Sequence, residues 1–491
     1  MTQQSEIVEV DSLSFLVRAQ KFRIVATIMR RTTVPIVTEY ATRLVHIVKG
    51  VTPEELGSFF DFEPPETRIL LQDVLRSGLV MESNGALQLS QRGYEALSPM
   101  DDRFNLFDAE EIPTTISLDL IAFTPIDDAQ LDQREGRIVE EVPLPDRQKA
   151  ALASVAAREA FDTHFHEWRQ SQTRRRDLDE ETRLHSIEDV QPVRSFAAPI
   201  HIPVRCRLMD ALGTAPDFSQ LSNKGRPGSR NALIEALSRK IQSFASAADH
   251  QGAFDLVTEV DGGIFLRDGV RSSSDQTAWA RLASDPDRQS ILGASGPGLR
   301  LVGSVATESV RAALLEWTRG ADASSRRSPI FWLPPKLNQW GRSVRFASLA
   351  SALSETNAAD DGTVLLARSD NSPTGTKSWQ RLYGRTERME PLFDRCLCVP
   401  HGDLPDALEL IVKPGAWALV LIHAPDPRTG HACPFGYIVS APRIVADFVY
   451  KVAEIASRAA GTSSLIWQKT EESADRALAM IDRALGIEVA D

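Results

Sequence analysis

The chain has 491 residues, of which 42% are hydrophobic, 25% charged and 7% aromatic, with 28 glycines and 28 prolines. That composition excludes a collagen-like, wholly disordered or coiled-coil chain and fits an ordinary globular protein. A formal net charge of −12 gives no overall basic character of the kind that accompanies nucleic-acid binding, and the length implies about three domains.

No run reaches the roughly 18 apolar residues that a membrane span requires. The opening MTQQSEIVEVDS lacks the basic and apolar regions of a secretory signal. Four cysteines (Cys206, Cys396, Cys398 and Cys433) are too few to staple a chain of this length, and none has zinc-site spacing. The expectation is a reduced cytoplasmic protein with no metal, no cofactor and no membrane partner.

In chain order, residues 12–38 come first, with Arg18, Lys21, Arg23, Arg30 and Arg31 and no acid. TEYATRLVHIV reads as a helix with Leu44, Val45 and Val48 on one side, ended by Gly50. Thr52 and Glu55 have capping-box spacing, and Pro53 takes the first helical position, so a second helix starts there. Glu63-Pro64-Pro65 opens a third, ETRILLQDVLRSG, with Ile69, Leu70, Val74 and Leu75 facing inward. Two short strands follow, GLVMES and GALQLS, joined by Asn84-Gly85, a pair favoured in tight hairpins. QRGYEAL then begins a closing helix.

Three helices and a hairpin, with "SGLV…NG…LSQRGYEAL", resemble the winged helix-turn-helix superfamily over residues 36–97. The resemblance implies a third helix that reads the DNA major groove and a wing that touches phosphate. The charge opposes this use. From Thr52 to Arg92 there are seven acids against Arg68, Arg76 and Arg92, and the wing tip Ser83-Asn84-Gly85 has no cation. Two readings stay open: direct nucleic-acid contact through Arg68, Arg76 and Arg92, and docking of a protein partner, including a second copy of the chain.

Residues 101–145 hold twelve acids and three arginines, most of the excess negative charge. One strand-like island, Thr115–Phe123, interrupts this acidic linker. The middle segment, 146–250, is slightly basic and reads as α+β. Arg174-Arg175-Arg176 ends a helical run and is followed by acids, as a solvated charge run would be. Lys224-Gly225-Arg226-Pro227-Gly228-Ser229-Arg230 precedes a helix, so Lys224, Arg226 and Arg230 are candidates to meet an anion such as nucleic-acid phosphate.

Residues 251–491 read as alternating strand and helix, with strands at 299–305, 329–333, 363–367, 396–399, 417–423, 437–440 and 464–467. Short apolar strands separated by amphipathic helices predict a mostly parallel sheet covered on both faces. VTEVDGGIFL, at 257–266, reads as a hairpin turning at Asp261-Gly262. No phosphate-loop, dinucleotide, nucleophile-elbow or zinc-protease motif occurs. WALVLIHAP followed by FGYIVSAPRI resembles the histidine-bearing strand and its successor in phospholipase D-like domains. That resemblance implies a degenerate member, because activity there needs a lysine two residues after the histidine, and His423 is followed by Ala424-Pro425. His401, Asp403, His423, Asp426, Arg428, His431 and Cys433 are the densest group of catalytic residue types, near strand ends where open α/β sheets bind ligands.

The expected fold is mixed α/β and multidomain: a winged-helix domain at 1–100, the acidic linker at 101–145, the middle segment at 146–250 and an α/β domain at 251–491. The expected function is a non-catalytic adaptor that binds nucleic acid or a partner protein. By fold-level analogy, it would belong in a bacterial regulatory or phage-defence complex. The alternative is an enzyme acting on phosphodiesters or nucleotides through His401, Asp403, His423, His431 and Cys433.

Overall fold

The structure, a computed structural model, describes residues 7–32, 35–96, 106–172, 182–208, 213–222, 230–244, 248–291, 297–321, 328–357, 362–369, 373–386, 389–399, 404–426, 429–458, 464–469 and 474–486. In chain order the first elements are β1 (Ile7–Thr32), α1 (Ile36–Val48), α2 (Pro53–Phe59), α3 (Pro64–Arg76), β2 (Val80–Ser83), β3 (Ala86–Leu89), α4 (Gln91–Ala96) and β4 (Leu106–Asp119). Next come α5 (Gln133–Ile138), β5 (Glu140–Glu141), α6 (Arg147–Ala151), α7 (Ala153–Gln172), β6 (Arg183–Arg207), β7 (Gly213–Pro216), α8 (Ser219–Ser222), α9 (Asn231–Gln242), α10 (His250–Asp261), α11 (Ile264–Arg267) and α12 (Gln276–Ser284). After these lie β8 (Ser290–Ile291), β9 (Gly298–Val302), α13 (Glu308–Gly320), β10 (Ile330–Leu333), α14 (Val344–Thr356), β11 (Thr363–Arg368) and α15 (Pro373–Tyr383). The remainder is β12 (Arg395–Val399), β13 (Leu408–Lys413), β14 (Trp417–Pro425), β15 (Ala432–Val439), α16 (Pro442–Ser457), β16 (Leu465–Gln468) and α17 (Ala474–Leu485). Two compact units result: the first contains residues 1–20, 119–151 and 195–491, the second 21–118 and 152–194.

The first unit is built on a nine-stranded sheet in the order β16-β12-β11-β10-β13-β14-β15-β9-β8. The expectation of a mostly parallel sheet is wrong. Only β10–β11 and β11–β12 pair in parallel, and the other neighbours in this sheet are antiparallel. The reason lies in the connections. α14 and α15 supply crossovers for β10, β11 and β12, whereas β13 turns into β14 across three residues, too few for a crossover.

The apolar strands misled because both faces are covered, whatever the strand direction. Phe331, Leu410, Val412, Val420, Phe435 and Tyr437 face a core shared with α10, α16 and α17. Trp332, Ile411, Leu419, Leu421 and Ile438 face the opposite core, with α13 and α14. Strand alternation sends successive side chains to these two cores. β14 and β15 approach so closely that a Cβ on Gly436 would lie 1.8 Å from the Val420 carbonyl oxygen.

Residues 257–266 are not a hairpin. α10 ends at Gly262 and α11 begins after Gly263, with φ of 68° and 89°, values that glycine adopts without steric cost. The Asp261 carboxylate accepts from the backbone N–H groups of Gly263 and Ile264, and from the Tyr437 hydroxyl at 2.5 Å. Two helices joined by a capped glycine pair therefore share their sequence with a tight-turn signal.

In the second unit, α1, α2, α3, the β2–β3 hairpin and α4 enclose a small core that includes Ala41, Val45, Leu56, Leu70, Val74, Leu79, Leu87 and Leu89. The capping box at Thr52 forms as its spacing requires. Asn84 and Gly85 make the turn, with φ of 54° and 75°. Two facing assignments need correction. The inner side of α1 is Thr38, Ala41, Thr42 and Val45, so Val48 is exposed, and Ile69 of α3 is 62% exposed. The basic segment 12–38, expected to be part of the winged-helix domain at 1–100, is largely β1. Its buried alternation runs Leu13, Phe15, Val17, Ala19 and then Phe22, Ile24, Ala26, Ile28. The one-residue slip falls at Gln20–Lys21, where the chain passes from one unit to the other.

Candidate functional site

β13 and β14 place two ionisable side chains on one sheet face. Glu409 pairs with Leu421 and Leu408 with Ile422, so Glu409 and His423 are diagonal neighbours across the ladder. His423 Nε2 lies 2.7 Å from Glu409 Oε2, and both residues are buried. Glu409 Oε1 accepts two indole N–H groups, from Trp332 at 2.9 Å and Trp340 at 2.8 Å. The carboxylate thus has three hydrogen-bonding partners in a region of aromatic packing, which offsets its desolvation. Arg368 anchors the turn before β13 by donating to the carbonyls of Pro405 at 2.9 Å and Leu408 at 3.0 Å.

A cavity of about 30 Å³, room for about one water molecule, lies against this pair and is also lined by Asp11, Ser304, Gln339 and Ser343. Asp11 Oδ1 accepts from Ser304 Oγ at 2.6 Å and from the Ser12 backbone N–H at 2.8 Å. Burial holds the Asp11 carboxyl above the usual carboxylate range, against the lowering pull of these bonds and of His423. Ser343 Oγ is buried without a protein hydrogen-bond partner. A second small cavity links Asp11 to Gln339 and His431.

His431 is half-buried, and desolvation lowers its pKa while Asp426 and Asp11 pull it up. Cys433 is buried beside Cys206. The hydrogen bond between them raises Cys433 and, with Cys206 as the beneficiary, brings Cys206 down to about 7. Asp426 is buried and accepts from the Thr214 backbone N–H at 2.8 Å. The structure groups Asp426 with His431 and Cys433, whereas His423 belongs with Glu409 on the sheet face opposite Cys433, whose ladder partner is Ala424. The fold adds Asp11, Glu409, Ser304, Trp332 and Trp340, none of which the sequence reading singled out. An acid inside the apolar run LELIVK was the available signal for Glu409. His401, Asp403 and Arg428 lie outside the described residues. Among the described residues no group of three metal-ligating side chains occurs.

The candidate nucleic-acid cations are placed unequally. Arg68 and Arg76 are exposed on α3, with Gln72 between them. Arg92 is tied to Asp108 at 2.7 Å. Arg230 is buried at the start of α9 and donates to the Pro125 carbonyl at 2.8 Å. Lys224 and Arg226 lie outside the described residues, as does Arg174-Arg175-Arg176. The opposite surface character appears on α1, where Ile36, Tyr40 and Ile47 are 71%, 57% and 74% exposed.

No described helix is long and apolar enough to cross a membrane. No protein-family model and no curated protein matches the chain. Among solved structures the chain is similar to a phospholipase D family member, Nuc from Salmonella typhimurium, at 9% identity and a TM-score of 0.21. The match covers 33% of this chain and 97% of that one, a likeness too low to carry an inference about activity.

Proposed function

We propose that the protein is a non-catalytic adaptor whose α1–α4 module is a winged helix used to dock protein, with a second copy of this chain as the partner. The carrying observation is the exposed stripe Ile36, Tyr40 and Ile47. Spacings of four and seven put these three side chains on one face of α1, opposite the buried Thr38, Ala41, Thr42 and Val45. Apolar side chains grouped on a surface are characteristic of interaction sites, whereas scattered ones are not. By fold-level analogy alone, such an adaptor would belong in a bacterial regulatory or phage-defence complex.

A second reading, nucleic-acid binding, draws on Arg68, Gln72 and Arg76, which occupy an exposed i, i+4, i+8 ridge of α3. Glu66 and Asp73 on the same helix and the Arg92–Asp108 ion pair weaken it. The phosphodiesterase alternative is less favoured still. His423 is 5% exposed and engaged by Glu409, and the adjoining space holds about one water.

Light scattering of the full chain, with and without Ile47→Asp, tests docking. A dimer dissociated by Ile47→Asp supports it, and a monomer at all concentrations overturns it. Salt-sensitive retention on duplex DNA, lost in Arg68→Glu/Arg76→Glu, supports the second reading; no retention at low salt removes it.

A further inference from the structure

A larger pocket in the first unit, of about 380 Å³, adjoins the His423 centre across Trp340 and Arg342. Its volume falls within the range of about 300–1,000 Å³ typical of small-molecule sites. Trp379 lines it from α15, half-buried, with its ring 5.6 Å from Tyr383 and 6.2 Å from Trp340. Tyr383 and Trp340 therefore back the Trp379 ring. Across the pocket, the Lys240 ammonium lies 5.3 Å from the ring centroid of Phe244.

The charges do not cancel. Glu140 meets both Lys240 and, at 3.4 Å, Arg342, so one carboxylate answers two cations. Lys336, also in the lining, is 54% exposed at its side chain and stands 3.7 Å from Asp406, which does not line the pocket. The lining thus carries three cations against one acid, and against two when Asp406 is counted, which leaves an excess of positive charge next to a ring with a partly open surface. A bare inorganic anion would leave the aromatic wall unused, and a neutral aromatic would leave the cations unused.

We propose that this pocket binds a nucleoside phosphate, with its base against Trp379 and its phosphate toward Lys240, Lys336 and Arg342. Aromatic rings take any base through its π-face, and charge-assisted hydrogen bonds to phosphate are stronger than neutral ones. This site is independent of the α1 docking surface: it requires neither self-association nor DNA binding.

Titration calorimetry on the full chain tests it, using the four common nucleoside monophosphates and their triphosphates, the matching nucleosides and inorganic phosphate. At least one nucleotide is expected to bind, with its nucleoside and inorganic phosphate each weaker by about ten-fold or more. Trp379→Ala and Lys336→Glu should each weaken that nucleotide by about ten-fold, the scale of one lost base–aromatic stack, while both variants remain folded at the titration temperature, as read by circular dichroism. Absence of nucleotide binding overturns the proposal. So does binding that both variants leave intact, or inorganic phosphate that binds as tightly as the nucleotide.

Discussion

The His423 centre and the outer face of α1 use side chains in opposite ways. At the first, ionisable groups lie inside and are engaged: Glu409 is bonded by His423, Trp332 and Trp340. At the second, large apolar groups lie exposed, at Ile36, Tyr40 and Ile47. A nine-stranded sheet with helices on both faces encloses even an acid, provided that its oxygens find donors. A module of four short helices and a hairpin has only one small core, and any apolar residue beyond that core remains on its surface. The lesson is that burial follows the number of packed layers at a position more closely than it follows residue type.

The largest expected effect attacks the buried side of this contrast. Glu409→Ala leaves two buried indole N–H groups and His423 without their acceptor, at an expected cost of about 3–5 kcal/mol. Glu409→Gln keeps an acceptor oxygen and should lose less than half as much, as read from urea midpoints. Equal losses in the two variants would show that packing, and not hydrogen bonding, holds the centre together.

Arg368→Ala removes both carbonyl contacts before β13 and should destabilise the protein by about 2–4 kcal/mol. Desolvation lowers the pKa of this guanidinium to about 10, so it stays charged at neutral pH and the loss should be constant between pH 6 and 8.

Smaller is the pH effect of His431, whose folded-state pKa lies below its ordinary value of 6.5. The unfolded chain then binds more protons in the window just below 6.5. Stability is therefore full above that window and falls as pH drops through it, then levels off below the folded pKa. His431→Gln should flatten this slope by no more than about 1 kcal/mol between pH 7 and 5, since the residue is only half-buried.

At the other pole of the comparison, Ile47→Asp, measured at a concentration where the chain is monomeric, should change stability by less than about 0.5 kcal/mol, as exposed positions do. A loss of 2 kcal/mol or more would mean that α1's outer face is covered within the chain and is not a free surface.

Local signals were legible where local chemistry suffices. Thr52 and Glu55 specified a helix start, and Asn84-Gly85 a tight turn, because each acts within four residues. Facing was less legible: Val48 and Ile69 fit an inward pattern, but the small core of the second unit leaves both outside. At the candidate site the sequence pointed to His423, His431 and Cys433 by residue type. It was silent about Asp11, which comes from the N-terminal strand nearly 300 residues before Ser304.

By itself, then, the sequence determined the element types in the α1–α4 module and for most strands of the large sheet, the hairpin turn, the uneven charge and the region where histidines and acids collect. These depend on periodicity, caps and turn residues, which are properties of short windows. Tertiary structure alone decided that the large sheet is mainly antiparallel, that 257–266 is two helices, and that Glu409 is the acceptor for His423 and two tryptophans. Strand direction is set by the connections, and a strand buried on both faces looks the same either way. A side chain's partner is set by ladder register, which no single strand contains.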